Sequence, residues 1–166
     1  MKLFRFRAVK KKLLIHGVLV VICIFSLDQI SKHIAMENFT HPIAVIPHFF
    51  YLEYVGNGGA AWNLLDGHRY LLCFFGFFTL LVLFISRKKF RFHESPRHLS
   101  FALIVGGACG NLYDRMRLGY VVDFIDVHLP LYRWPTFNFA DASLCIGLLF
   151  LAILEIIERK CPRRHP

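Results

Sequence analysis

Two aspartates in the last third of the chain are spaced so that they could carry out hydrolysis together. Asp123 and Asp141 lie on either side of a segment that contains Pro130 and Pro135. If that segment reverses the chain, the two side chains could face one another. Two carboxylates about 3 Å apart cannot both ionise easily, so one keeps a proton while the other stays charged. The charged carboxylate can activate water and the protonated one can assist the leaving amine, which is the chemistry of an aspartic peptidase.

The elements that would position these carboxylates are strongly apolar. Of the 166 residues, 56% are hydrophobic and 16% are aromatic, which is too apolar for an ordinary soluble domain. Four windows approach the roughly 17 to 25 apolar residues needed to cross a bilayer core. The sequence therefore predicts an all-α membrane protein forming one integral-membrane domain over 1–166. Its four transmembrane helices are expected at about 13–34, 69–86, 99–114 and 138–157.

The basic residues predict the orientation of these helices. Fifteen of the twenty Lys and Arg residues lie in the N-terminal arm, the loop after the second window and the C-terminal tail. Because Lys and Arg beside short loops tend to stay in the cytoplasm, both termini are predicted to be cytoplasmic. This placement, together with attraction to anionic membrane lipids, accounts for the net charge of +9, so no nucleic-acid partner is expected.

In this topology, polar residues from separate windows gather at the outer boundary of the membrane. Ionisable groups at membrane depth are costly and usually face a cavity, a partner or a pathway. The convergence therefore predicts a functional site at the outer face. The polar residues that gather at this boundary are Asp28, Lys32, Asn111, Asp114, Arg115, Asp123, Asn138 and Asp141.

Each of these residues also has a simpler interpretation. Asp28 and Lys32 are four positions apart and could form a pair on a helix surface. Asn138 and Asp141 could bond the free N–H groups of the first turn of the fourth helix. In addition, some charges are assigned outside the site: Asp114 and Arg117 are interpreted as helix-end charges, and Asp66 and Asp126 as loop residues that are structural or solvated.

The connection between the first two windows, at 35–68, predicts a second element at the outer face. Aromatic residues that favour strands run up to Val55, and a glycine-rich turn follows. We expect a small extracytoplasmic β-rich cradle or loop over the helix ends. Glycines there would let the backbone approach a ligand closely. Within the third window, Gly106 and Gly110 are four positions apart, a spacing typical of close helix packing.

Five short motifs occur in order along nearly the whole chain: DQISK at 28–32, NGGAAW at 57–62, GGACGNLYDR at 106–115, GYVVDFID at 119–126 and FNFAD at 137–141. With these motifs the sequence resembles the lipoprotein signal peptidases, the type II signal peptidases of bacterial membranes. The resemblance implies an aspartic endopeptidase of the bacterial inner membrane, active at its periplasmic face. Its substrate would be a prolipoprotein whose cysteine carries diacylglycerol, cut just before that cysteine.

The resemblance also implies roles for particular residues. Asp123 and Asp141 match the catalytic pair, and neither a metal nor another cofactor is expected. This sequence departs from the usual family pattern at Trp62, Tyr113, Phe139 and Cys109, and none of these changes removes a catalytic group. The residues expected to bind substrate or to support the site are Asp28, Asn57, Gly59, Asn111, Arg115 and Asn138.

Two other functions remain open from the residues alone. Gly119, Asp123 and Asp126 partly match the glycine and spaced aspartates of a metal-dependent membrane lipid phosphotransferase. A small ion transporter subunit could use intramembrane Asp and Asn side chains as a cation path. Such a path should carry polar groups along its depth, whereas here they gather at one face and the second window is almost wholly apolar.

Overall fold

The computed structural model describes residues 2–60, 62, 64–88 and 95–160. Four α-helices account for most of these residues, and each overlaps one of the four predicted windows. The first helix begins about eleven positions before its window, because the basic arm contains good helix formers that an apolarity criterion does not detect. The helices are α1 Lys2–Asn38, α2 Arg69–Ser86, α3 Ser95–Arg117 and α4 Phe139–Lys160.

Three of the helices are long and apolar enough to cross a membrane: α1 from Lys12 onwards, α2 and α4. In their most apolar windows only 6%, 6% and 17% of residues are buried inside the protein. Their apolar side chains therefore face outward, where a bilayer would surround them. Helix α3 falls below this apolarity because it carries several charges near its two ends, namely Arg97, Asp114, Arg115 and Arg117.

Helix α3 packs closely against α1 and α4 through its glycines. A Cβ at Gly106 would lie 3.0 Å from the Ile24 side chain of α1, and a Cβ at Gly110 would lie 2.5 Å from Asp28 Oδ2. At Gly110 the same Cβ would lie 3.2 Å from Ala140 Cβ of α4. The predicted packing role of these two glycines is therefore confirmed, and it allows three helices to approach closely below the polar cluster.

A four-stranded antiparallel sheet lies at the end of the bundle where α1 and α3 finish and α2 and α4 begin. Two strands come from the α1–α2 connection, as the predicted cradle required. The other two come from the α3–α4 connection, where the sequence predicts no strand, so the all-α description is wrong in this part. In sequence and spatial order the strands are β1 Ile43–Ile46, β2 Phe50–Asn57, β3 Val121–Leu129 and β4 Tyr132–Arg133.

Strand β3 carries Asp123 and also Asp126, for which the sequence predicts a loop. Val55 of β2 pairs with Asp123, and Tyr51 pairs with Asp126. This strand is difficult to predict from the sequence because both of its faces are covered. Its first four residues are all buried, and its Val122 and Phe124 form an apolar core with Ala35 near the end of α1. A strand covered on both faces lacks the alternation of apolar and polar residues by which a strand is recognised.

Candidate active site

Asp123 is held in the sheet by backbone pairing and in the site by two asparagines. Its side chain accepts hydrogen bonds from Asn57 Nδ2, 2.9 Å from Oδ2, and from Asn138 Nδ2, 2.7 Å from Oδ1. The Asn57 amide is itself oriented, because its oxygen accepts the Gly59 N–H at 3.0 Å. Asp123 is only 1% exposed. Its carboxyl is therefore removed from bulk water and fully supplied with donors.

Asp141 is positioned by the start of α4. Asn138 precedes the helix, and its Oδ1 accepts the Asp141 backbone N–H at 2.9 Å. In return, Asp141 Oδ2 accepts the Asn138 backbone N–H at 3.2 Å, which completes a reciprocal capping arrangement. The capping role considered for these residues is thus real, and it is compatible with a role in the site. The remaining oxygen, Oδ1, accepts Asn111 Nδ2 at 2.7 Å.

A buried ionic cluster lies beside the two aspartates. Lys32 Nζ is 2.8 Å from Asp28 Oδ2 and 2.8 Å from Asp114 Oδ2, and all three residues are at most 2% exposed. Asp28 Oδ1 also accepts the Ala140 N–H at the start of α4, at 2.9 Å. Gln29 Nε2 bridges Asp28 and Asp114 at 3.1 and 2.9 Å. This cluster joins α1, α3 and α4 at a single point.

Two interpretations of these charges were wrong. Asp28 and Lys32 do pair, but inside the protein and not on a helix surface. Asp114 is not a solvated helix-end charge, since it binds Lys32 and also accepts the Val122 N–H at 3.3 Å. The four-residue spacing of Asp28 and Lys32 was the available signal, but it does not distinguish a buried pair from an exposed one. Arg117 is exposed, as predicted.

Arg115 ties the glycine-rich segment after β2 to helix α3. Its Nη2 donates to the Gly59 carbonyl oxygen at 2.9 Å, and its Nη1 lies 3.4 Å from the Asn111 carbonyl oxygen. The same Gly59 offers its N–H to Asn57. Both predicted supporting residues of this segment, Asn57 and Gly59, are therefore linked to the site through their backbone or amide groups.

A cavity of about 720 Å³ opens beside both aspartates. Asp123 and Asp141 both line it, together with Asn57, Asn111 and Arg115. Its other walls are mostly apolar and come from α2, α3, α4 and the segments that flank the sheet. They include Trp62, Leu72, Phe75, Leu112, Trp134 and Leu144. The cavity could therefore hold an extended, largely apolar molecule with a polar group against the two carboxyls.

The environment of Asp123 favours the protonated form of its carboxyl. Burial, together with the nearby charge of Asp141, raises the pKa of Asp123 from 3.8 to about 7. The hydrogen bonds from Asn57 and Asn138 act in the opposite direction but are outweighed. A pair of buried carboxyls of which one is neutral near pH 7 has the protonation pattern that acid–base hydrolysis of a peptide bond needs.

Asp126 does not join the site. Its side chain binds Arg133 Nη2 at 2.6 Å and His128 Nε2 at 2.8 Å, and it is 1% exposed. Burial acts to raise the pKa of Asp126, but the hydrogen bonds from Arg133 and His128 outweigh it and hold the pKa below its usual range. Asp126 thus links β3 to β4, so the solvated alternative for this residue is wrong. Asp66 is exposed in the loop before α2, as predicted.

The structure does not support the partial match to a lipid phosphotransferase. A shared metal site would require Asp123 and Asp126 to converge, but Asp123 binds Asn57 and Asp126 binds Arg133. Within the described ranges, no group of three or more His, Cys, Asp or Glu side chains could hold a metal ion. The predicted members of the site that do meet around the cavity and its cluster are Asp28, Asn57, Gly59, Asn111, Arg115, Asp123, Asn138 and Asp141.

Comparisons with known proteins agree with this arrangement. Residues 20–157 match the family described as Signal peptidase (SPase) II. The lipoprotein signal peptidase of Syntrophotalea carbinolica is 38% identical over 160 residues, covering 93% of this chain and 94% of that protein. The lipoprotein signal peptidase of Halothermothrix orenii is 41% identical over 141 residues, covering 81% of this chain and 91% of that protein.

A solved structure is similar over almost the same extent. It is described as a bacterial membrane enzyme, and it superposes with a TM-score of 0.82 at 29% sequence identity, covering 91% of this chain and 93% of that chain. The resemblance noted in the motifs thus extends to the sequence as a whole and to the fold. The chain belongs to the signal peptidase II family, the lipoprotein signal peptidases, and is a multi-pass bacterial membrane aspartic peptidase that removes signal peptides from prolipoproteins.

Proposed function

We propose that Asp123 and Asp141 are the catalytic pair of this peptidase. The observation that carries the proposal is that both carboxyls line one cavity while a single residue, Asn138, hydrogen-bonds to both. One carboxylate takes a proton from a water molecule as the water attacks the scissile carbonyl carbon, and the other carboxyl protonates the carbonyl oxygen. The site residues around them act by holding these two groups in register.

The remaining polar residues have supporting roles. Asn57, Asn111 and Asn138 supply N–H donors to the carboxyls, and Asp28 holds the first turn of α4 through the Ala140 N–H. Arg115 holds Gly59, so that the segment after β2 forms one wall of the cavity. None of these groups needs to react with the substrate in order to affect the rate.

We further propose that the substrate is a prolipoprotein whose cysteine carries diacylglycerol, cleaved just before that cysteine. The apolar walls contributed by α2, α3 and α4, among them Leu72, Phe75 and Leu112, suit acyl chains and an apolar signal segment. Because α2 and α4 expose apolar faces where a bilayer would surround them, a substrate anchored in lipid could enter sideways. Membrane lipids are then the other natural neighbours, and nucleic acid has no place in the reaction.

For the placement in the cell, we propose an inner-membrane enzyme with the site at the periplasmic face. The proposal includes four crossings by a single domain, with α3 as the fourth spanning helix and both termini in the cytoplasm. Its support is the positive-inside rule applied to the basic arm, the α2–α3 connection and the tail. The aspartates lie at the end of the bundle where α1 and α3 finish, whereas the basic segments lie at the start of α1, between α2 and α3, and at the end of α4 and beyond it in the sequence.

The test is cleavage of a purified, lipidated prolipoprotein by the enzyme in detergent or liposomes. We expect Asp123→Asn and Asp141→Asn each to abolish cleavage while the protein still folds and binds substrate, because an amide cannot exchange the proton that the reaction moves. Asp66→Asn, a change at an exposed loop aspartate, is the matched control and should retain full turnover. Near-normal turnover by either site variant would exclude the pair, and equal cleavage of the unlipidated precursor would exclude the lipid requirement.

A further inference from the structure

A fully buried ammonium group lies one hydrogen bond away from the asparagine that contacts Asp141. Lys32 is 1% exposed, and its Nζ has three acceptors at hydrogen-bond distance. These are Asp28 Oδ2 and Asp114 Oδ2, both at 2.8 Å, and Asn111 Oδ1 at 3.0 Å. An ammonium carries three N–H donors and no acceptor, so these three oxygens satisfy it completely. The third acceptor is the one that connects Lys32 to the catalytic pair.

Lys32 decides which way the Asn111 amide points. Because Nζ can only donate, Asn111 must turn its oxygen towards Lys32, which leaves its NH₂ group for Asp141 Oδ1 at 2.7 Å. The opposite orientation would place an N–H against an ammonium and an oxygen against a carboxylate. Asn138 Nδ2, at 3.2 Å from the same Asn111 oxygen, favours the same orientation.

As a result, Asp141 is surrounded by donors that favour its charged form. Its Oδ1 accepts from Asn111, whose amide is polarised by Lys32, and its Oδ2 accepts the backbone N–H of Asn138, the residue just before α4. The N-terminal end of a helix also favours negative charge. Asp123 lies in a strand, and its side chain accepts hydrogen bonds from two neutral amides, those of Asn57 and Asn138. The two carboxyls are therefore not equivalent.

The charged and titratable groups around Asp141 come from every element packed near it. The Arg115 guanidinium interacts more strongly with the Asp141 carboxylate than with that of Asp123. On α2, the Cys73 thiol interacts electrostatically with Arg115. The full set is Asp28 and Lys32 on α1, Cys73 on α2, Asp114 and Arg115 on α3, and Asp123 on β3.

We propose that Lys32 is a positioning residue that, acting through Asn111, keeps Asp141 as the ionised carboxylate and leaves the shared proton on Asp123. The inference rests on the proposed catalytic pair. Asp141 then takes a proton from water while the water oxygen bonds to the carbonyl carbon, and Asp123 gives its proton to the carbonyl oxygen. When the C–N bond breaks, Asp141 passes its proton to the leaving nitrogen and a hydroxyl of the intermediate returns a proton to Asp123. One water is consumed and both carboxyls regain their starting states.

The test is the pH dependence of kcat in Lys32→Met, which keeps the length of the side chain and removes its charge. We expect kcat to fall by about 10- to 100-fold, a part of what general acid–base catalysis contributes. The low-pH limb of the profile should move to higher pH, because Asp141 without the cation ionises less readily. KM should change little, since Lys32 is not among the residues that line the cavity.

Arg97→Met is the matched control. Arg97 is also a buried cation, 3% exposed, but it binds Glu155 and Glu158 at 3.0 Å near the other end of α3. Its loss should lower stability without moving the low-pH limb. A limb that stays in place in Lys32→Met, or that moves equally in Arg97→Met, would show that Lys32 serves folding alone.

A second variant keeps the inference testable if Lys32→Met does not fold. Asn111→Leu leaves Lys32 paired with Asp28 and Asp114 but removes its link to Asp141, so the same movement of the low-pH limb is expected. An unmoved limb in Asn111→Leu overturns the inference. The proposal of the catalytic pair is tested separately. Activity in Asp123→Asn or Asp141→Asn would refute the pair. If both of these variants are inactive and the low-pH limb does not move in Asn111→Leu, only the role of Lys32 is refuted.

Discussion

Helix α3 passes so close to the start of α4 at Gly107 that this residue determines where Asp141 lies. A Cβ at position 107 would overlap the main-chain carbonyl oxygen of Ala140 and would lie 3.0 Å from Leu144 Cγ. A backbone oxygen cannot rotate away, so an ordinary carbon–oxygen separation of about 3.3 Å requires α4 to move by roughly 1 Å. Asp141 directly follows Ala140, and its 2.7 Å bond to Asn111 would lengthen by a similar amount.

For Gly107→Ala we therefore expect both the rate and the stability to fall. A displacement of about 1 Å at a catalytic group can cost about 100-fold in kcat. Overpacking of a close helix contact costs about 1–3 kcal/mol, which exceeds the gain of about 0.5–1 kcal/mol from replacing Gly by Ala inside a helix. The net free energy of unfolding should decrease, and KM should rise as well, because α4 supplies part of the cavity wall, including Leu144.

The assay measures kcat on lipidated prolipoprotein and thermal unfolding of the same detergent-solubilised samples. Gly17→Ala is the matched control, because a Cβ there would meet His98 Cδ2 at 3.8 Å, an ordinary contact between α1 and α3. This control should keep its activity and its stability. If Gly107→Ala turned over at the wild-type rate, the start of α4 would not need its present position, and the reasoning from α3–α4 packing to Asp141 would be refuted.

Two further predictions concern protonation and the cavity wall. Since burial and the charge of Asp141 raise the pKa of Asp123 from 3.8 to about 7, turnover should fall as pH rises through about 7. Asp123 holds its proton more tightly in the folded state than in the unfolded chain. The free energy of unfolding should therefore also decrease as pH rises from 3.8 to about 7. Asp123→Asn should lack this decrease in thermal unfolding measured against pH, and an unchanged slope would contradict the assignment. Trp62 Nε1 donates to Tyr132 Oη at 2.8 Å beside the cavity. Trp62→Phe and Tyr132→Phe should therefore change KM by similar, few-fold amounts, and the double variant should match either single one; additive effects would show that the bond is not what matters.

The helices could be predicted because their signals are local. Apolar windows long enough for a bilayer located all four, and α2 has the same bounds in the structure, Arg69–Ser86. The reversal between Asp123 and Asp141 followed from prolines that act on their own neighbours. The β3–β4 part of the sheet could not be predicted in this way, because β3 is covered on both faces and its buried residues do not alternate with polar ones.

The members of the site could be chosen from their types and motifs, but their partners could not. From the sequence, Asp114 and Asp126 have the features of solvated charges. In the structure each is buried and paired with a cation, Lys32 for Asp114 and Arg133 for Asp126. A charge in a sequence carries no information on whether it is paired, because pairing depends on which segments the fold brings together.

Lys32 is the clearest example of a residue whose environment cannot be predicted from its neighbours in the sequence. The sequence was sufficient to identify a membrane peptidase with two candidate aspartates, because apolar length, basic flanks and short motifs are properties of neighbouring residues. Whether the Asp28–Lys32 pair is exposed or buried depends on which helices pack against it. Its link to Asp141 depends on Asn111, which lies 79 positions after Lys32 in the sequence. Only the close packing of α1, α3 and α4 brings these groups within hydrogen-bond distance, where the buried Asp28–Lys32 pair becomes part of the proposed catalytic site.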